Sequence, residues 1–376
     1  MTGPDAVGSK NRTVERTRRG LLTLLQAGLW EREVDDLAGF PLSADEWAAL
    51  FRLARQQTVT GIVFRGLQAL PDELLPPPSL LIRWTAAVDA VERRNRQMNR
   101  ALGSLYAELR SRGLDPVLQK GQGIAALYAS PLLRECGDID LCFADSRTSD
   151  RAAAYMSRLG ATVRRMPDGS LFYRWQGLEV EHHVRLFDLH NPFLQREAGR
   201  LIREKGGVRT ILSDETGTSV TVPAPFLNLL LLDLHILKHA LGRGIGLRQL
   251  CDMARACCRL HADVDSAEME TCCLRWGLGR WNPLLHSFLV DCLGLPVGML
   301  PYAKLAPSAD PLLGIIWRGG NFGLYREGGP TDGQSLWRRK METARSFGEN
   351  LHFALRYAPK EAFWIFTGLM RGQFRL

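Results

Sequence analysis

Apolar periodicity divides the chain into three parts. In residues 14–30 the apolar positions recur at helical spacing. Ser43-Ala44-Asp45-Glu46 has the S-x-x-E pattern of a capping box and opens a helix running to about Gln57. Residues 58–70 predict another helix, with Gly61 inside it. The Pro-rich stretch 74–78 breaks the pattern, and a long helix follows over 79–112. Residues 1–12 are small and polar without periodicity and are expected to be disordered. At Gly113 the period changes. Residues 114–119 predict a strand, 124–128 a short helix stopped by Pro131, 137–144 a strand and 150–159 a helix. Three further strands, 162–165, 171–175 and 178–186, are separated by turns at Asp168-Gly169 and Gln176-Gly177 and predict a meander.

From Asn191 the helical period returns. A helix over 193–205 and a hairpin-like piece over 209–222 precede helices at 226–241, 247–260, 266–276, 280–293 and 336–356. Residues 319–330 form a Gly-rich interruption, with a turn at Gly320-Asn321-Phe322-Gly323 to which no chemistry attaches. The expected fold is α+β. A small mixed β-sheet core with helices on one face occupies 113–190. An N-terminal helical lobe (13–112) and a C-terminal helical lobe (191–376) flank it.

Composition narrows the partners. The 376 residues carry a net charge of +8, mostly from arginine, which favours anionic partners such as nucleotides, nucleic acid, anionic sugars or lipid without selecting among them. The eight cysteines form no C-x-x-C pair, so a zinc ribbon is not expected. Scattered thiols and the lack of a signal-peptide core in residues 1–20 make a cytoplasmic protein the simplest expectation. No apolar run reaches the roughly 20 residues that span a bilayer. Basic amphipathic ends (Arg16, Arg18 and Arg19 before Leu21; Phe363 to Phe366 before Arg371) could touch a membrane surface, but packing within the protein is the favoured reading.

The chemistry concentrates between Gln119 and Leu141. Strand residues alternate faces, so Asp138 and Asp140 project to the same side. Two parallel carboxylates suit a hard divalent cation with oxygen ligands. Upstream, Lys120-Gly121-Gln122-Gly123 forms a glycine turn into a helix N-terminus, a place for phosphate, with Lys120 as a point charge. Arg134, in the loop before the acidic strand, could hold a triphosphate or pair with the aspartates. A third carboxylate is available on the last meander strand, where Glu179, Glu181, His183 and Arg185 share a face. That face could also be merely solvated. Adjacent His182 and His183 point opposite ways, which is poor spacing for zinc; His183 better suits orienting a carboxylate or meeting a phosphate. His235 and His239, four apart on an apolar helix, read as buried structural histidines, with Lys238 available to the cleft. Arg248 and Asp252, also four apart, are expected to pair. Neither a catalytic cysteine nor a Walker A motif is indicated.

Residues Val117-Leu118-Gln119-Lys120-Gly121, Ala125 to Tyr128, Arg134 and Gly137-Asp138-Ile139-Asp140-Leu141 together resemble a poorly characterised bacterial family of the polymerase-β-like nucleotidyltransferase superfamily. Glu181-His182-His183, Leu234 to His239 and Gly246 to Asp252 continue the resemblance, which covers roughly residues 20–260 well. It implies that Asp138 and Asp140 hold the catalytic metals, Mg²⁺ or Mn²⁺, with Glu181 as third acid and Glu179 the alternative. It also implies that Lys120-Gly121 replaces the superfamily's Gly-Ser triphosphate turn. Gln119 stands where an apolar residue is expected. Transfer of a nucleotidyl group from an NTP, with ATP the expected donor, to a small-molecule, sugar or peptide acceptor follows. A nucleic-acid-directed enzyme and a non-catalytic NTP-binding module are the alternatives.

Overall fold

The structure, a computed structural model, describes residues 4–166, 168–187, 189, 191–211, 217–242, 244–320, 348 and 350–373. Helix α1 (Pro4–Trp30) begins well before Val14, so most of the stretch expected to be disordered is helical. Extending an existing helix adds one bond per residue fixed, and a proline in the first turn sacrifices none. Helix α2 (Ala44–Gln56) starts at the expected capping box: Glu46 N–H donates to Ser43 Oγ at 3.3 Å and Ser43 N–H to Glu46 Oε2 at 2.8 Å. Helix α3 (Thr60–Leu67) crosses α1 at two glycines. A Cβ on Gly28 would lie 1.8 Å from the Ile62 carbonyl oxygen, and one on Gly66 1.9 Å from that of Leu24. Helix α4 (Pro78–Arg110) is the long helix expected.

Among the described residues the sheet has seven strands: β1 (Val117–Leu118), β2 (Ile139–Cys142), β3 (Arg164–Arg165), β4 (Leu171–Trp175), β5 (Leu178–His183), β6 (Gly207–Ile211) and β7 (Ser219–Pro223). Their order is β3-β4-β5-β2-β1-β7-β6. The meander is present as antiparallel β3-β4-β5, and β2 runs parallel beside β5. The hairpin expected in the C-terminal lobe is β6-β7, and it belongs to the core sheet: β7 pairs parallel with β1, Val117 opposite Thr221. The sheet therefore runs past the boundary expected at residue 190. Pairing satisfies backbone groups that a bare β1 edge would leave open.

Helices lie on both sides of the sheet rather than on one. The second half of α4 and α6 (Ser146–Arg158) cover one face, burying Leu105, Tyr106 and Met156 with Ile139, Leu141 and Val180. Across a cavity on the other side stand α8 (Pro225–Leu241) and α9 (Leu247–Leu260); the short α5 (Gln122–Ala125) and α7 (Pro192–Lys205) come earlier in the chain. The two helical lobes share one core. Leu25, Trp47 and Trp84 from the N-terminal helices belong to the same cluster as Leu230, Leu250 and Trp281. Trp30 Nε1 donates to the Leu293 carbonyl at 2.5 Å and Gln26 Nε2 to that of Cys292 at 2.9 Å. The helix expected over 280–293 is α-helical over Trp281–Ser287 and π-helical over Phe288–Cys292. Most of the Gly-rich interruption and of the helix expected over 336–356 lies outside the described residues, though Leu351–Tyr357 is helical.

Candidate active site

Parallel pairing of β2 with β5 sets Asp140 opposite Glu181 and Cys142 opposite His183. Alternation then separates the faces. Ile139, Leu141 and Val180 go into the packed layer, while Asp140, Glu181 and His183 reach the cavity. His183 Nε2 lies 2.5 Å from Asp140 Oδ1 and its Nδ1 3.6 Å from Glu181 Oε1. Among the described residues, ligand atoms of Asp140, Glu181 and His183 all fall within 4.8 Å of one another. Asp138, just before β2, lines the same cavity but stands outside that cluster. Lys120 Nζ is 3.5 Å from Asp140 Oδ1. The cavity encloses about 390 Å³, and Gly121, Arg134 and Lys238 also line it.

The carboxylates are electrostatically unequal. Burial alone would raise the pKa of Asp140, but the Lys120 ammonium and the bond from His183 outweigh it and hold Asp140 well below the usual range. Burial, and then the charge of Asp140, raises Asp138. Burial raises Glu181 too, opposed by His183 and reinforced by Asp140. Acids that raise one another in a half-buried cleft fit a divalent cation, which would relieve the repulsion. Glu179 does not join them: it is exposed and pairs with Arg174 at 3.3 Å. His182 points the other way, between Ser149 Oγ at 3.3 Å and Tyr173 Oη at 3.0 Å, and burial lowers its pKa to about 4.

Lys120 to Gly123 form a tight turn. Gly123 N–H donates to the Lys120 carbonyl at 3.1 Å, and Gly121 has φ 57° and ψ −121°, the first central position of a type II′ turn. The following α5 has only four residues and is shifted toward the turn from the expected 124–128. Lys120 therefore faces a carboxylate rather than a long helix's N-terminus. The polar Gln119 has a structural reason: its backbone N–H bonds the Asp140 carbonyl at 3.0 Å and its Nε2 the Arg185 carbonyl at 3.0 Å, tying β1 to the ends of both acidic strands.

Arg134 is buried, and its guanidinium is turned to Asp252, with Nε–Oδ1 3.0 Å and Nη2–Oδ2 2.6 Å. Tyr128 Oη donates to the same carboxylate at 2.8 Å. The pair expected within α9 is thus replaced: Asp252 takes Arg134, and Arg248 Nη1 donates to the Glu135 carbonyl at 2.8 Å. Arg255, a turn further on, donates to the Leu127 carbonyl at 2.8 Å. The N-terminal helices hold the same loop. Asn95 Nδ2 bonds the carbonyls of Leu132 (2.7 Å) and Arg134 (2.8 Å), Arg94 bonds that of Gly137 (2.9 Å), and Glu135 accepts the Thr60 N–H (2.9 Å).

Arg248, Gln249, His235 and His239 also line the cavity, though they had not been assigned to the site. Polar groups every three to four residues along otherwise apolar helices were the available signal.

Asp140 and Glu181 offer oxygens to a cation, and Lys120, Lys238 and Arg248 in the same cavity offer positive charge to an anion. A family model described as "Uncharacterised nucleotidyltransferase" matches residues 43–290, about two-thirds of the chain, and the chain belongs to that family. The match begins later and reaches further than the expected 20–260. No curated protein and no solved structure matches the chain.

Proposed function

We propose that the protein is a Mg²⁺- or Mn²⁺-dependent nucleotidyltransferase. It moves an NMP group from an NTP, with ATP the expected donor, to a hydroxyl or phosphate of a small-molecule, sugar or peptide acceptor. The observation that carries this is the convergence of Asp140, Glu181 and His183 in a chain of this family. The oxygens of Asp140 and Glu181, with Asp138 nearby, would hold the cation, and a hard ion suits them. When bound, it would stabilise charge on the attacking and leaving oxygens.

The chain's own groups have distinct tasks. Lys120 keeps Asp140 ionised, and His183 fixes its orientation. Glu181, beside Asp140 on the neighbouring strand, accepts the acceptor's hydroxyl proton. The acceptor oxygen then forms its bond to the α-phosphorus as the bond to the β-phosphate oxygen breaks, and pyrophosphate leaves. Lys120, Gly121 and Lys238 border the space left for the phosphates.

Incubation with labelled NTPs, Mg²⁺ and acceptor pools tests this. Pyrophosphate release lost in Asp138→Ala and Asp140→Ala supports the enzyme. Tight NTP binding without turnover on any pool would favour a binding module, and turnover only with RNA or DNA would favour a nucleic-acid-directed enzyme. Turnover unaffected by Glu181→Gln would remove that residue from the third-acid role.

A further inference from the structure

Basic side chains line the cavity along with the acids, and one of them has a donor without a partner. Arg248 projects from the first turn of α9. Its Nη1 donates to the Glu135 carbonyl, while its Nε is buried without a partner. A buried donor left unmet costs about 1–3 kcal/mol, so a guanidinium held at that cost calls for an explanation, and a functional role is a recognised one. Asp252, one turn along and the obvious local partner, is already engaged by Arg134 and Tyr128.

The surroundings select the ligand's charge. Arg248 is near enough to Asp138 and to His235 to act on the ionisation of both, and Lys120 and Lys238 act on His235 as well. His235 and His239, stacked edge to face at 4.5 Å, line the same cavity. Basic side chains from a strand end (Lys120), α8 (Lys238) and α9 (Arg248) thus share the cavity with the carboxylates, Lys120 standing 3.5 Å from Asp140. A multi-oxygen anion coordinated by a cation at the acids would lie among these basic groups. Guanidinium geometry matches phosphate oxygens and is worth more there than a point charge.

We propose that the Arg248 guanidinium, on the cavity wall, binds the pyrophosphate portion of the donor and stabilises that portion as it leaves. This deepens the nucleotidyltransferase proposal and rests on it for the identity of the anion. Because negative charge accumulates on the leaving oxygen during transfer, loss of Arg248 lowers kcat as well as raising KM for the NTP.

The test is calorimetric binding of Mg²⁺–pyrophosphate to the full-length protein. Arg248→Gln should weaken it roughly 10–100-fold, the range of a charged hydrogen bond. Arg248→Lys, which restores charge without the planar guanidinium, should recover part of the loss. Unchanged affinity in Arg248→Gln, or no pyrophosphate binding by the wild type, overturns the assignment. Phenylglyoxal mapping of the unmutated protein covers the case in which Arg248→Gln does not fold. Labelling of Arg248 should be suppressed by Mg²⁺–pyrophosphate, and labelling that is absent or unprotected overturns the assignment. The two proposals fail separately. Pyrophosphate binding through Arg248 without nucleotide transfer removes the activity and keeps the site, whereas transfer with Arg248 indifferent to pyrophosphate does the reverse.

Discussion

At the residue scale, the site depends on a few side chains whose neighbours decide their charge. Asp140 is held ionised by Lys120 and His183 against the cost of burial, while Asp138 and Glu181 are pushed toward protonation. Gly121 sets up that contrast, because its backbone aims Lys120 at Asp140. At φ 57° and ψ −121° an alanine is strained by about 1–3 kcal/mol. Gly121→Ala should lower the melting temperature accordingly and cut turnover more than a surface glycine change such as Gly160→Ala. Thermal melts and steady-state rates check both. Strand alternation put Asp138 with Asp140, and Glu181 with His183, on shared faces, but it put Glu179 there too, and only the pairing of β2 with β5 separates Glu181, in the cavity, from exposed Glu179. The engagement of Arg134 was not legible, because Asp252 lies 118 residues away and only the packing of α9 on the loop brings them together.

At the scale of elements, α9 is the brace for the loop that carries the acids. Arg248, Asp252 and Arg255 recur at helical spacing and hold Glu135, Arg134 with Tyr128, and Leu127 in turn. Removing one partner of a buried pair is worse than replacing both, since it strands a charge. Asp252→Ala should therefore cost about 3–5 kcal/mol in a urea titration. Asp252→Ala with Arg134→Met should recover part of it, and equal losses would show that the pair is not the brace. Helical periodicity located α9 to the residue but could not say which neighbour its polar face meets. The hairpin at 207–223 was legible as a hairpin for the same local reason. Its place in the sheet depends on pairing with β1, a contact about a hundred residues back that no local pattern encodes.

At the scale of the molecule, one face of the sheet is covered by α4 and α6, and the other carries the acids toward a helical body that joins N-terminal and C-terminal helices. Trp30 and Gln26 on α1 bond the backbone at Leu293 and Cys292, so the expected pair of flanking lobes is one body with a shared core. Within it lies a buried acid. Asp233 accepts a hydrogen bond from Trp281 Nε1 at 2.6 Å, near Cys257 and Cys273, and burial raises its pKa to about 7. The folded state therefore binds more protons than the unfolded chain between about pH 4 and 7, and stability from this group falls as pH rises through that window. Asp233→Asn keeps an acceptor for Trp281 and should flatten that pH dependence, as melts from pH 5 to 8 would show.

If the acid cluster serves nucleotidyl transfer, the reaction needs both a divalent cation and the Asp140 carboxylate. The most direct measurement incubates full-length protein with α-labelled ATP, Mg²⁺ and a pool of candidate acceptors, wild type beside Asp140→Asn, a change that keeps the side chain's shape. Mg²⁺-dependent label on an acceptor with matching pyrophosphate release is expected, with both lost by about 100-fold or more in Asp140→Asn. Equal labelling by the two proteins, or labelling that persists when the divalent cation is chelated, would contradict that requirement.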